Sequence, residues 1–85
     1  MTTRRGFFKR LAYVEAKIRR LKTAIRYVTD ASDDQMERLS ALIQVLATTT
    51  RYSYLDVCET AYRCATEGVG IRRLGEVLRK RLAVV

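Results

Sequence analysis

Seven apolar residues, Phe7, Leu11, Val14, Ile18, Leu21, Ile25 and Val28, follow one another at alternating intervals of four and three. This is the heptad spacing of one helical seam, and it commits the first third of the chain to a single long helix over about residues 4–29. No proline interrupts the 85 residues, and three of the four glycines fall between positions 68 and 85. Helix is therefore expected almost everywhere.

Three further helices follow from breaks and caps. "TDASDD" interrupts the first pattern. Ser32 followed by Gln35 has the spacing of a capping box, and Asp33 and Asp34 suit the positive end of a helix over about 33–50. Its apolar face holds Met36, Leu39, Ile43 and Leu46, widened by Leu42 and Val45. The β-branched run in "TTTRYS" ends it, and Ser53 with Asp56 offers the next cap. A third helix, 54–66, carries Leu55, Cys58, Tyr62 and Ala65 on one face and stops where Gly68 can turn left-handed. A fourth, about 70–83, presents Ile71, Leu74, Val77, Leu78 and Leu82.

Four amphipathic helices on short turns predict one all-α domain over residues 1–85. The expected fold is a small four-helix bundle of two antiparallel helical hairpins with a long basic N-terminal helix. The first helix is expected to pack on the second, whose acidic start can face it. Part of its seam should project past the shorter helices or meet a second chain. A parallel coiled-coil dimer would oppose Lys17 to Lys22, so the seam favours an intrachain partner. Remaining surface leaves room for a homodimer or higher oligomer, because so short a chain buries only about 60–65% of its extended surface.

The chain carries 17 Lys and Arg against 9 Asp and Glu, a net charge of +8. Residues 1–29 hold nine basic groups and one acid, residues 30–67 are net acidic, and residues 68–85 hold five basic groups and one acid. Two basic ends around an acidic middle are expected to share a positive surface that grips a polyanion, nucleic acid with DNA favoured over RNA. On the first helix, Arg5, Tyr13, Arg19, Arg20, Arg26 and Tyr27 lie away from the seam. Arg supplies bidentate contacts to phosphate and Tyr a ring to stack. The plain alternative is a solvated face, with Tyr lying over Arg stems.

"YLDVCETAYRCATEGVGIRRLGEVLRKRL" has the outline of a helix-turn-helix. Cys64 stands at the crossing, Gly68 in the turn, and Val69, Leu74 and Val77 inside. Arg72 and Arg73 would open the reading helix, with Arg79, Lys80 and Arg81 on the phosphate backbone. Arg63 and Glu67 stand where that motif usually places apolar residues, so an ordinary helical hairpin with a basic tail is the competing account.

Other classes find less support. With no His and only Cys58 and Cys64, no closed metal site is expected within one chain, and no cofactor. The Cys-x5-Cys spacing puts the thiols on different faces of one helix, so buried, reduced thiols in an intracellular compartment are expected. No segment is apolar enough to span a bilayer. Phe7, Phe8, Leu11 and Val14 opposite Lys9, Arg10, Arg19 and Arg20 would suit an interfacial helix, but the regular heptad favours a protein partner. No nucleophile or phosphate-loop motif points to an enzyme. The expected function is phosphate-directed nucleic-acid binding, as a DNA-binding regulator or a coating and packaging subunit. The rival is a structural or adaptor protein that meets an acidic protein surface or assembles into an oligomer.

Overall fold

The computed structural model describes the backbone of residues 3–83 and the side chains of residues 10–83. Four helices follow in order: α1 (Thr3–Thr29), α2 (Asp33–Thr49), α3 (Tyr54–Thr66) and α4 (Ile71–Leu82). They form the expected all-α, four-helix arrangement. Among the described residues, no helix is long and apolar enough to cross a membrane.

The helix ends are built by local chemistry. The Ser32 hydroxyl accepts from the Gln35 N–H at 3.2 Å, and the Gln35 side chain accepts from the Ser32 N–H at 2.8 Å. Ser53 and Asp56 repeat this reciprocal box at the head of α3, at 3.1 and 3.3 Å. Each box satisfies two helix-end donors and contributes about 1 kcal/mol. Gly68, with φ +98°, ends α3, and the Val69 N–H donates back to the Cys64 carbonyl at 3.0 Å. At the end of α1 the left-handed position is held by Asp30 (φ 53°), one of the few non-glycine residues that enter this region at modest cost. Gly70 is the N-cap of α4, so that helix begins one residue later than its pattern suggests.

The buried core joins Ile25 of α1, Leu39, Ile43 and Leu46 of α2, Val57, Cys58, Ala61 and Cys64 of α3, and Leu74, Leu78 and Leu82 of α4. α3 is its centre, in contact with all three other helices. The reason lies in its side chains. Cys58, Ala61, Cys64 and Ala65 are small and buried, so bulkier neighbours can close on α3 from more than one side.

This arrangement corrects the expected partner of α1. Its seam packs chiefly on α3, and α1 meets α2 only marginally. The acidic start of α2 does face α1, through Arg26 Nη1 and Asp33 Oδ1 at 2.7 Å, but α3 supplies the apolar surface. Lys17 Nζ lies 3.3 Å from Glu59 Oε1, and Lys22 sits 4.8 Å over the Tyr54 ring. Rising numbers on α1 thus meet falling numbers on α3, and the two run antiparallel. Continuing that register sets the last residue of α3 near Arg10, so the start of α1 runs beyond it by about 10 Å. Ile25 is fully buried, Ile18 and Leu21 are half-buried, and Leu11 and Val28 are 44% and 46% exposed. Phe7 lies outside the described side chains.

α4 packs on α3 and also meets α2. Arg81, ten residues beyond Ile71, still pairs with Glu67 at the end of α3.

Candidate nucleic-acid interface

The outward side of α1 follows from its inward side. Because Ile18, Leu21 and Ile25 turn towards the core, Arg19, Arg20 and Tyr27 are left facing solvent. Together with the small residues Ala16, Thr23 and Ala24 they line one shallow depression on this helix alone. The small residues leave room between the guanidinium groups and the ring. Tyr27 is 89% exposed and Tyr13 64%, so both side chains stand largely in solvent. Arg19 and Arg20 enter no ion pair among the described residues. Arg26 is different: its link to Asp33 turns it towards the groove between α1 and α2. Arg5 lies outside the described side chains.

At the α3–α4 corner Cys64 and Leu74 are fully buried, Val69 and Val77 pack on the core, and Gly68 makes the turn. Arg63 and Glu67, which strain the expected apolar pattern, stand on the exposed side, where charge costs little. Arg72 and Arg73 are exposed in the first turn of α4. That helix has no side-chain cap and no acid in its first turn, so its partial positive end adds to theirs. The C-terminal cluster is more occupied. Lys80 pairs with Glu76 at 3.2 Å and Arg81 with Glu67, which leaves Arg79 exposed and in no ion pair among the described residues. The Arg81 hydrogen bond and charge hold the Glu67 carboxyl below its ordinary pKa.

The two basic runs lie on α1 and α4, which both pack on α3. α1 and α4 touch only marginally. One group escaped the sequence reading. Arg38, the lone basic residue of α2, lines a groove of about 500 Å³ with Arg72 of α4. Its signal was weak: a single Arg at the border of an apolar face, outside both charge runs. Among the described residues no cluster of His, Cys, Asp and Glu could hold a metal ion. The chain matches no protein-family model, no curated protein and no solved structure.

Proposed function

We propose that this protein binds nucleic acid, duplex DNA ahead of RNA, chiefly through the phosphate backbone. The observation that carries the reading is the outer face of α1, where exposed Arg19 and Arg20 flank an open depression beside the nearly free ring of Tyr27. Two adjacent guanidinium groups in no ion pair among the described residues suit neighbouring phosphates, and the ring adds a surface for a sugar or an unpaired base. The α3–α4 corner, with Arg72 and Arg73 at the open end of α4, supports duplex DNA as the preferred form. The role is that of a binding protein in a reducing, intracellular compartment, either a DNA-binding regulator or a subunit that coats nucleic acid.

The test is fluorescence anisotropy with labelled duplex DNA, single-stranded DNA and RNA of equal length over a salt series. About six phosphate contacts give a log–log slope near −5. The reading expects such a slope and the tightest binding to duplex. Absence of binding even at low salt would sink it.

A second reading, assembly into an oligomer or on a protein partner, is favoured by one observation. Leu11 belongs to an unbroken heptad seam and is 44% exposed. Sedimentation across a concentration series distinguishes a monomer from a self-associating chain.

A further inference from the structure

The groove between α2 and α4 combines features that neither basic face has. Its floor is apolar: Leu39 is 5% exposed, and Leu42 and Ile71 are partly buried beside it. Its sides bring together two cations from different helices, Arg38 and Arg72, with the Gln35 amide nearby. No lining residue is acidic. Neither guanidinium is in an ion pair among the described residues. Arg38 and Arg72 line one groove from different helices, and an anion held there would meet two donor forks. At about 500 Å³ the groove lies within the size range of small-molecule sites.

The Leu42 side chain reaches across to the bare backbone of α4. A Cβ at Gly75 would come within 2.9 Å of Leu42 Cδ2, so the Leu42 methyl occupies the space that a side chain here would take. An occupant therefore finds a continuous apolar wall on one side and charge on the rim. An inorganic anion would leave the floor unused, and a neutral hydrocarbon would leave both arginines unpaired.

We propose that this groove binds a small amphipathic carboxylate, its headgroup between Arg38 and Arg72 and its apolar body on Leu39, Leu42 and Ile71. The site stands apart from the nucleic-acid reading, with Arg72 the one residue common to both.

The experiment is a titration of the full ¹⁵N-labelled chain with octanoate, followed by amide chemical shifts at constant ionic strength and without nucleic acid. Acetate supplies the headgroup alone and 1-octanol the tail alone. Octanoate is expected to shift the amides of residues 38–42 and 71–75 saturably, with a Kd on the order of 1 mM or tighter. Acetate and octanol should bind at least tenfold more weakly. Arg38→Ala should weaken octanoate at least tenfold with helicity unchanged, and Arg72→Ala should do the same from the other wall. Octanol binding as well as octanoate, shifts spread over the surface without saturation, or an unchanged affinity in both variants would each overturn the proposal.

Discussion

At the scale of single residues, charge and burial assign different tasks to chemically similar groups. Cys58 and Cys64 are fully buried, and burial pushes the Cys58 thiol up to about 11 against the opposing charge of Lys22. Cys64 is raised by the same cause. At neutral pH both are protonated and unreactive, serving as small apolar spacers in α3. Iodoacetamide should therefore modify neither in the native protein and both in urea, as read by mass spectrometry; rapid native labelling would contradict their burial. Cys58→Ser should lower stability by about 1–3 kcal/mol, since the added hydroxyl has to find a partner in an apolar site. Glu67 shows the opposite behaviour. Its pKa is lowered by the Arg81 hydrogen bond and charge, so the pairing is complete above the ordinary carboxylate pKa and is lost as pH falls through the lowered value. A carboxyl ¹³C titration should give Glu67 a midpoint below that of a free glutamate, and Arg81→Ala should move it upward. An unmoved midpoint would mean that the pair does not form in solution.

At the scale of the element, α1 has two faces that should answer to different measurements. Ile25→Ala removes fully buried volume and should cost about 2–5 kcal/mol in urea denaturation, whereas Leu11→Ala, at a site 44% exposed, should cost about 1 kcal/mol or less. Equal costs would mean that another chain covers the start of the seam. On the outer face, Arg19→Ser with Arg20→Ser should leave helicity intact while making the salt slope of DNA binding shallower by about 2. An unchanged slope would move the phosphate contacts elsewhere. Much of this organisation was legible beforehand. The heptad marks which side of α1 is buried, Ser32 with Gln35 and Ser53 with Asp56 mark where helices begin, and Gly68 marks where α3 ends. The partner of α1 was not legible, because an apolar seam does not name the surface it meets. That choice fell to α3 through the small volumes of Cys58, Ala61 and Cys64, an effect of three-dimensional packing with no periodic signature.

At the scale of the whole molecule, the two basic runs were visible as charge, but the packing of both their helices on α3 was not. Arg38 was missed because its meaning comes from Arg72, a residue 34 positions away that shares its groove. This pairing also ties the two proposed binding activities together. A carboxylate held by Arg38 and Arg72 occupies a guanidinium that DNA would use at the open end of α4, so the ligands should oppose each other reciprocally. With ionic strength held constant, saturating octanoate should weaken duplex binding by about fivefold or more, and saturating DNA should weaken octanoate by the same factor. Arg38→Ala should abolish this antagonism while leaving DNA affinity without octanoate unchanged, because Arg38 belongs to the groove alone. If octanoate weakened DNA equally in that variant, the effect would be nonspecific. If octanoate filled the groove and DNA affinity did not move, DNA would not engage Arg72, and the phosphate grip would belong to the outer face of α1.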